Sequence, residues 1–398
     1  MKSHKATGRE VLDVEYGFTN RTPDKQLSKE ALEWMKKEVI ALEDLRFSEE
    51  DINFLSSAVP YLPQRYLDYL KTFKLNPREQ VVIETDEKGE LNIDIRGLWV
   101  ETILYEIPLL SLISEAYFRF VDTNWNYDGQ VESAAEKTKT LLNHGCTFSE
   151  FGTRRRRSYK AQQLVLEGIV RGAKEVGKLN MLTGTSNVHF AREFALRPIG
   201  TVAHEWMMGT AAYTNDYRAA NKQSMEMWLK TMGNEAAGFA LTDTFGSEIF
   251  FKDFVPPFSD VYVGVRQDSG DPIEYTELAA NHYKKLGYPP NSKKIIFSDS
   301  LNVEKCLKYK EAAEKNGLVP TFGVGTFFTN DFHTLGGEKS TPLNIVIKIS
   351  AVNGNPAIKI SDNISKNTGD AETVRKVKET LGYTEKEWAE GDESHRWG

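Results

Sequence analysis

One loop of the sequence combines a guanidinium, two carboxylates and a glycine turn. Residues 266–272, Arg-Gln-Asp-Ser-Gly-Asp-Pro, directly follow the apolar run 261–265. Arg266 can bind phosphate or carboxylate in a forked geometry, and Asp268 and Asp271 can accept hydrogen bonds from sugar hydroxyls or hold Mg²⁺ through water. The loop therefore suits a phosphorylated, hydroxylated ligand, although a structural turn with a surface ion pair is the plainer alternative.

A second loop has two glycines on either side of Val324. It covers residues 322–326, Phe-Gly-Val-Gly-Thr, and comes soon after a proline. Gly323 and Gly325 allow backbone N–H groups to approach an anion closely, so a phosphate nest that ends at Thr326 is predicted. The third glycine of the dinucleotide-binding fingerprint is missing, and a GxG pattern by itself is a weak signal.

Four consecutive arginines, Arg154 to Arg157, form the only strongly basic run of the sequence. Such a run can be a nucleic-acid patch or simply a solvated surface. It stands directly before a predicted helix inside the folded region, where the arginines can project to different sides and meet the anionic groups of a small ligand. The net charge of -7 and the pI of about 5.7 argue against a general binder of phosphate backbones.

A single histidine, His204, follows the apolar stretch 199–203 and precedes Glu205. A lone histidine at such a place is more often structural than chemical. Its position among the other polar clusters allows Asp243 or Asp268 to orient the ring and make one nitrogen nucleophilic. No HExxH, CxxC, Walker A or GxSxG motif accompanies it, which disfavours metalloprotease, zinc-finger, P-loop and α/β-hydrolase functions.

The elements that must position these residues are short strands alternating with helices. This alternation begins after Cys146 and is typical of parallel strands with crossover helices. Because the loops after the strands of a (β/α) barrel converge on one face, we predict a barrel-like α/β domain with a shared cavity. Six presumed strands end in polar or glycine clusters, at residues 184–187, 203–206, 242–244, 266–271, 298–300 and 323–326.

The first half of the sequence has mixed α and β character. A helix is predicted near residues 25–42, and residues 81–83 and 91–95 read as a β-hairpin around a polar turn. A second helix is predicted over residues 98–120, interrupted at Pro108, which should kink it or end its first part.

The end of the chain is predicted to form a hairpin that can return to the first domain. Residues 344–350 and 357–360 are its two arms, joined across Asn353-Gly354-Asn355-Pro356. The predicted domains are an α+β domain over 1–143 that the hairpin 343–361 can complete, a barrel-like α/β domain over 144–342, and a helical, charged tail over 362–398.

The composition of the sequence indicates the cellular compartment. The two cysteines, Cys146 and Cys306, can build neither a disulfide framework nor a cysteine metal site within one subunit. No apolar block follows the first basic residues, and the most apolar stretch, 107–116, falls short of the roughly 20 residues of a membrane helix. We therefore expect a cytoplasmic protein without a membrane segment.

Taken in order, the motifs resemble those of nicotinate phosphoribosyltransferases. The likeness runs from about Val14 to Asn330 and is loose in the first domain, where residues 15–18 and Arg21 carry it. The matching segments are 151–154 (Phe-Gly-Thr-Arg), 184–187 (Gly-Thr-Ser-Asn), 203–206 (Ala-His-Glu-Trp), 241–246 (Leu-Thr-Asp-Thr-Phe-Gly), 266–272 and 322–326. So many ordered motifs make the resemblance specific.

The resemblance implies a fold, a reaction and an assembly. Members of the family have a type II phosphoribosyltransferase fold, with an α+β first domain and an irregular (β/α) barrel, and act as homodimers with shared active sites. They form nicotinate mononucleotide and pyrophosphate from nicotinate and phosphoribosyl pyrophosphate with Mg²⁺, coupled to ATP hydrolysis, in the salvage of NAD. A tyrosine of the family's opening Asp-x-Tyr-Lys-type segment stacks on the substrate from the partner subunit, and residues 1–4 of this sequence do not match that segment.

The resemblance also implies roles for individual residues. His204 matches the histidine that takes the phosphoryl group from ATP, and Asp243 and Asp268 would steady it as catalytic residues. Phe151 matches the aromatic that stacks on the pyridine ring, and Arg154 matches the cation that meets the charged groups of the substrate. The residues that match contacts to the phosphoribosyl group and its 5′-phosphate are Arg266, Asp268, Ser298, Asp299, Gly323, Gly325 and Thr326.

Ser186 distinguishes between two substrates. The related nicotinamide phosphoribosyltransferases have an aspartate at this position, which holds the amide and would repel a carboxylate. Ser186 removes that repulsion and can donate a hydrogen bond, so nicotinate is the expected substrate. Nicotinamide or another pyridine is the first alternative, and a nucleic-acid-binding or scaffold protein that uses the arginine run is a remote one.

Overall fold

The computed structural model describes residues 12–87, 89–363 and 366–384; residues 1–4, compared above with the family's opening segment, and the tail beyond 384 lie outside it. The strands are β1 (Asp13–Asn20), β2 (Val81–Thr85), β3 (Leu91–Leu98), β4 (Phe148–Glu150), β5 (Leu182–Thr185), β6 (Phe239–Leu241), β7 (Gly264–Gln267), β8 (Lys294–Phe297), β9 (Val319–Val324), β10 (Phe332–His333), β11 (Lys339–Ser340), β12 (Ile345–Val352) and β13 (Asn355–Pro356).

The helices alternate with these strands through most of the chain. They are α1 (Lys29–Ala41), α2 (Glu49–Ala58), α3 (Gln64–Thr72), α4 (Pro77–Gln80), α5 (Trp99–Thr102), α6 (Glu106–Phe120), α7 (Gln130–Asn143), α8 (Tyr159–Glu175), α9 (Val188–Glu193), α10 (His204–Thr214), α11 (Ala220–Met232), α12 (Ser247–Asp253), α13 (Phe258–Val261), α14 (Pro272–Lys285), α15 (Val303–Lys315), α16 (Thr326–Thr329) and α17 (Ala371–Leu381). Within the described ranges, none of these helices has the length and apolar character needed to cross a membrane.

Alternating apolar and polar residues build an antiparallel sheet in the first half of the chain. In β1, Val14 and Tyr16 are buried while Asp13 and Glu15 are exposed. The strand order is β13-β12-β1-β3-β2, and each neighbouring pair is antiparallel. The predicted hairpin is confirmed as β2 and β3. Because β12 pairs with β1, strands from the end of the chain complete this sheet.

The helix break that the sequence assigned to Pro108 has another position. The chain leaves the helical conformation between α5 and α6, at residues 103–105, and Pro108 is the third residue of α6. In the first turn of a helix the backbone N–H has no intrahelical acceptor, so a proline there removes no hydrogen bond. The prediction that Pro108 kinks or ends the helix was therefore wrong.

The second sheet consists of short strands buried on both faces. In β8, Ile295, Ile296 and Phe297 are all buried, which is typical of parallel strands covered by helices on both sides. The strand order is β5-β4-β9-β8-β7-β6, and each neighbouring pair is parallel. The predicted α/β fold class with an α+β first domain is confirmed.

One of the six predicted strand ends was wrong. Residues 199–202 form no strand; this segment meets the sheet at a bridge between Thr185 and Pro198, and His204 begins α10. Pro198 has no backbone N–H for a ladder and Gly200 has low β-propensity, which explains the missing strand. The sixth parallel strand is instead β4.

The second arm of the predicted terminal hairpin was also wrong. β13 ends at Pro356, the N–H of Ala357 still donates to the carbonyl oxygen of Ser350 in β12 at 2.8 Å, and residues 358–360 leave the sheet. The backbone N–H of Ile360 donates to the carbonyl oxygen of Thr244 at 2.8 Å, and Ile358 and Ile360 are buried in an apolar cluster with residues of β6 and α17. The chain therefore turns toward the loops of the parallel sheet. The domain limits themselves stay a prediction.

Candidate active site

Loops that follow the parallel strands surround a cavity of about 390 Å³. Two predicted site residues do not line it: Asp243 is buried beside His204 Nε2, and Gly323 lies against the ring of Phe151. The predicted residues that line it are Phe151, Arg154, Ser186, His204, Arg266, Asp268, Ser298, Asp299, Gly325 and Thr326. The structure thus brings together residues that are far apart in the sequence.

Arg266 is the centre of a hydrogen-bonded network on the cavity wall. Its guanidinium donates to Asp268 Oδ1 at 2.7 Å, to Ser298 Oγ at 2.8 Å and to Thr201 Oγ1 at 2.7 Å. Ser298 Oγ also donates to Asp268 Oδ1 at 2.8 Å. Although burial disfavours the charged form, Arg266 and His204 hold the pKa of Asp268 well below its usual range. The network keeps a carboxylate ionised at the edge of the cavity.

The ring of His204 has hydrogen-bond partners at both nitrogens. Nδ1 lies 2.9 Å from Thr244 Oγ1, on the buried side, while Nε2 lies 2.9 Å from Asp268 Oδ2 and 3.0 Å from Lys359 Nζ. Burial and the positive charge of Lys359 lower the pKa of His204 to about 4. The imidazole is therefore neutral near pH 7, and a neutral ring has a nitrogen lone pair that can act as a nucleophile.

Asp243 is a buried counter-charge beside Nε2 of this ring. Its side chain is 1% exposed, and its oxygens lie 3.7 Å from His204 Nε2 and 3.3 Å from Lys359 Nζ. Burial opposes ionisation, yet Lys359 and His204 hold the pKa of Asp243 below its usual range. His204, Asp243 and Asp268 are close enough to share a metal ion. The ammonium of Lys359 already lies among these ligand atoms, so this cluster needs no metal for charge balance.

A glycine sets the position of the Phe151 ring. A Cβ atom at Gly323 would lie 2.6 Å from that ring, so only glycine leaves room for it. The backbone N–H of Phe151 donates to the carbonyl oxygen of Val324 at 2.8 Å. The contact makes Gly323 a packing residue beneath the aromatic, whereas Gly325 and Thr326 reach the cavity.

Positive charge dominates the cavity wall. Among the described residues, eight cationic side chains line it against four carboxylates, an excess of four. The cationic residues are Arg21, Arg154, Arg155, Arg266, Lys339, Lys348, Lys359 and Lys366, and the carboxylates are Glu106, Asp268, Asp299 and Asp331. Such an excess suits ligands with several negative charges.

Comparison with known proteins identifies the family. Residues 146–385 match the nicotinate phosphoribosyltransferase (NAPRTase) family, and residues 4–114 match its N-terminal domain. A nicotinate phosphoribosyltransferase of Saccharomyces cerevisiae is 53% identical over 399 residues, which cover 97% of this chain and 93% of that protein. The chain belongs to the nicotinate phosphoribosyltransferase family.

Solved structures of this nicotinate phosphoribosyltransferase family have the same fold. A crystal structure from S. cerevisiae, described as a putative nicotinate phosphoribosyltransferase, has a TM-score of 0.91 at 52% identity and covers 94% of this chain and 93% of its own. A nicotinate phosphoribosyltransferase from Porphyromonas gingivalis has a TM-score of 0.87 at 33% identity and covers 95% of each chain.

Three lysines of this family member were missed by sequence reasoning. Lys348, Lys359 and Lys366 follow the last parallel strand and line the cavity. Lys366 Nζ donates to Asp299 Oδ2 at 2.6 Å and to the carbonyl oxygen of Asp268 at 3.2 Å. One signal was present: Lys359 interrupts the apolar run Ala-Ile-Lys-Ile, and a lysine is rarely buried without a partner.

The four arginines point in different directions, as the sequence suggested. Arg154 and Arg155 both line the cavity, but Arg155 is otherwise buried and donates to Asn344 Oδ1 at 2.7 Å. Arg157 is fully buried, with its guanidinium 3.6 Å from the ring centre of Phe118. The run therefore forms no continuous basic surface of the kind that binds nucleic acid.

Proposed function

We propose that this enzyme forms nicotinate mononucleotide and pyrophosphate from nicotinate and phosphoribosyl pyrophosphate, in NAD salvage. The observation that carries the proposal is one cavity that combines an aromatic ring, an excess of positive charge and a neutral imidazole. Phe151 offers a face for the pyridine ring, and the Arg266 network offers donors for phosphate and ribose oxygens.

The transfer step needs electrostatic stabilisation rather than a base. The pyridine nitrogen of nicotinate has a free lone pair, so it can form the new bond to the ribose carbon while the bond to pyrophosphate breaks. Positive charge develops on the ribose and negative charge on the leaving group. In this proposal Asp268 faces the ribose, and Arg266, Lys359 and Lys366 supply positive charge for the pyrophosphate.

We further propose that ATP drives the reaction through His204. The Nε2 lone pair forms a bond to the γ-phosphorus of ATP, and the bond between that phosphorus and the ADP oxygen breaks with its electron pair. The support is geometric: Nε2 faces residues that line the cavity, and Nδ1 faces the buried Thr244.

Mg²⁺ is expected as a companion of the phosphate groups. The carboxylates of Asp268 and Asp299 line the cavity and are ligands of the type that Mg²⁺ accepts. Both already have a cationic partner, Arg266 and Lys366 respectively, so phosphate oxygens of the substrates would supply most of the ligands. When bound, the ion would offset the charge of pyrophosphate as it leaves.

Selectivity for nicotinate is proposed to rest on Ser186 and Arg154. Both line the cavity on the side of Phe151, where Ser186 brings no carboxylate. Glu106 lies nearby, but its Oε1 is 3.8 Å from Arg154 and 3.9 Å from Lys348, so two cations offset its charge. The alternative substrate is nicotinamide. An assay in which nicotinate and nicotinamide compete for the enzyme identifies the preferred substrate. A strong preference for nicotinamide would overturn the proposed role of Ser186.

A homodimer and a cytoplasmic location complete the proposal. Val100, Ile103 and Ile107 are 53%, 43% and 42% exposed, and Ile107 lines the cavity, so a second subunit that covered them would also meet the site. The free, buried Cys146 and Cys306 fit a reducing compartment. Sedimentation of the purified protein tests the dimer.

The function is tested by product formation with and without ATP. We expect nicotinate mononucleotide from nicotinate, phosphoribosyl pyrophosphate and Mg²⁺, with a higher yield when ATP is present. His204→Ala should lose ATP hydrolysis but retain some transfer at high substrate concentration. The matched control is His189→Ala, because His189 is exposed and bonded to Tyr159 outside the cavity. Unchanged coupling to ATP in His204→Ala would refute the assigned role.

A further inference from the structure

The nitrogen of His204 that faces the cavity has two neighbours of opposite kind. Asp268 Oδ2, at 2.9 Å from Nε2, can only accept a hydrogen bond, whereas Lys359 Nζ, at 3.0 Å, can only donate one. Because the ring is neutral, Nε2 has either a hydrogen or a lone pair. Nε2 can therefore form a hydrogen bond with only one of the two neighbours at a time. It bonds Asp268 in the tautomer with hydrogen on Nε2 and Lys359 in the tautomer with hydrogen on Nδ1.

Thr244 is the partner that suits both tautomers. Its Oγ1 lies 2.9 Å from Nδ1, and the residue is buried, with 1% of its surface exposed. When Nε2 donates to Asp268, the Thr244 hydroxyl can donate to Nδ1. When Nδ1 has the proton, the same hydroxyl accepts from it, and Lys359 donates to Nε2. A carboxylate or carbonyl oxygen at this place would fit only the second state.

The backbone of Thr244 also joins this hydroxyl to the segment that carries Lys359. Its carbonyl oxygen accepts from the N–H of Ile360 at 2.8 Å and from that of Ser361 at 3.3 Å. The same backbone hydrogen bonds therefore hold both partners of the reactive tautomer. These partners are the hydroxyl at Nδ1 and the ammonium at Nε2.

We infer that Thr244 is a positioning residue that lets the His204 proton reside on Nδ1 and so presents the Nε2 lone pair to the cavity. The inference rests on the proposed function, because phosphoryl transfer to His204 needs that lone pair. As the bond from Nε2 to phosphorus forms and the bond from phosphorus to the ADP oxygen breaks, the ring proton stays on Nδ1, bonded to Thr244 Oγ1.

Substitution of Thr244 tests this role with ATP labelled at its γ-phosphorus. Thr244→Val keeps the shape and removes the hydroxyl, which favours the tautomer with hydrogen on Nε2. A wrong histidine tautomer can slow a reaction about 10,000-fold, so we expect acid-labile labelling of the enzyme to slow at least about 100-fold. Thr244→Ser should restore labelling to within about threefold of the unaltered enzyme, because it returns the donor and acceptor.

The matched control is Thr242→Val. Thr242 is also fully buried after β6, but its hydroxyl bonds Ser247 and Tyr275 instead of His204, so this variant should be labelled like the unaltered enzyme. Labelling of Thr244→Val at the unaltered rate would overturn the inference alone. An unaltered enzyme that takes no label would instead overturn the proposed ATP coupling, and the inference with it.

A second measurement does not depend on the folding of any Thr244 variant. NMR of the ring nitrogens in isotope-labelled histidine reports the tautomer, and His204→Gln assigns the signal. For the unaltered enzyme without ATP we expect nitrogen shifts averaged between the two tautomers. A His204 ring held entirely with hydrogen on Nε2 would contradict the inference.

Discussion

The strand-end loops of the parallel sheet and the C-terminal crossover, defined as residues 345–368, reach the same cavity by different routes. The loops and strand ends contribute residues grouped in short, recognisable motifs, such as Arg266 near the end of β7 and Asp268 directly after it. The crossover contributes three lysines without any motif, because β12 pairs with β1 of the first sheet and the chain then returns. The loops lie together because the strands that they follow are neighbours in one parallel sheet. The lysines reach the cavity because β12 pairs with a strand that is distant in the sequence.

The two regions are joined by ion pairs. Lys359 of the crossover lies 3.3 Å from Asp243, and Lys366 lies 2.6 Å from Asp299. In both pairs the carboxylate comes from a strand-end loop and the ammonium from the crossover. Neither region therefore has a balanced charge without the other, and substitutions on the two sides should affect the enzyme in different ways.

The largest effect is expected in the loops, from Asp268→Asn. This change removes the charge that binds Arg266 and faces the proposed ribose position. We expect kcat/KM for phosphoribosyl transfer to fall about 1,000-fold, an upper value for loss of one preorganised electrostatic group. The matched control is Asp271→Asn, since Asp271 caps α14 and asparagine is an equally good cap. Steady-state kinetics of the two variants measures the effect. Equal activity of Asp268→Asn and Asp271→Asn would contradict the role of Asp268.

A smaller effect on activity, with an added effect on stability, is expected in the crossover from Lys359→Met. This variant leaves the buried charge of Asp243 without its lysine, which should lower the free energy of unfolding by about 3 kcal/mol. Adding Asp243→Asn should recover most of that loss, because the buried charge is then gone. Lys294→Met, at an exposed site on β8, is the control. Urea unfolding that is unchanged in Lys359→Met would show that the two regions are not joined as described.

Gly323→Ala should weaken nicotinate binding through the Phe151 ring. The added Cβ needs the space that the ring occupies, so the ring must move. A 1 Å misplacement can cost about 100-fold in rate, so for a smaller shift of the ring we expect the KM for nicotinate to rise by about tenfold and that for phosphoribosyl pyrophosphate to change less. Gly336→Ala, in an exposed loop, serves as the control. Equal increases in the KM for nicotinate and the KM for phosphoribosyl pyrophosphate would show that Gly323 does not act specifically on the pyridine site.

The smallest effect on activity is expected from Glu205→Gln, which probes how the His204 motif is held by the first domain. Tyr16 and Trp99 both donate to Glu205 Oε1 at 2.6 Å, and burial raises the pKa of Glu205 to about 7 from 4.5. The folded state holds this proton more tightly than the unfolded chain. The stability from this proton is therefore fully present below pH 4.5 and is lost as the pH rises through about 7.

The variant should remove that pH dependence. Glutamine keeps an oxygen that accepts both hydrogen bonds but has no proton to lose. Between about pH 5 and pH 8, the free energy of unfolding of the unaltered protein should fall by on the order of 2 kcal/mol more than that of Glu205→Gln. Urea unfolding at the two pH values measures this, and parallel curves for both proteins would exclude Glu205 as the titrating group.

Local patterns in the sequence were enough for the parallel sheet and for the loops that follow it. The predicted alternation of short strands and helices after Cys146 was confirmed, and the motifs placed Arg266, Asp268 and His204 near one another. The prediction of a strand before His204 was wrong, because Pro198 and Gly200 outweigh the apolar residues of that segment.

The contribution of the crossover could not be predicted, because it depends on contacts between distant parts of the chain. The return of the terminal hairpin to the first domain was predicted, and β12 pairs with β1, but no local pattern indicates that the chain after Pro356 turns to the other sheet. The role of Gly323 beneath Phe151 likewise depends on the parallel pairing of β4 with β9. The isolated charge of Lys359 between isoleucines was the available hint.

A crystal structure with nicotinate mononucleotide and pyrophosphate tests the convergence of the two regions most directly. We expect the ligand oxygens to lie within hydrogen-bond distance of Arg266 from the loops and of at least one of Lys359 and Lys366 from the crossover. Ligands that contact the strand-end loops alone, with both lysines still bound only to carboxylates, would contradict this expectation.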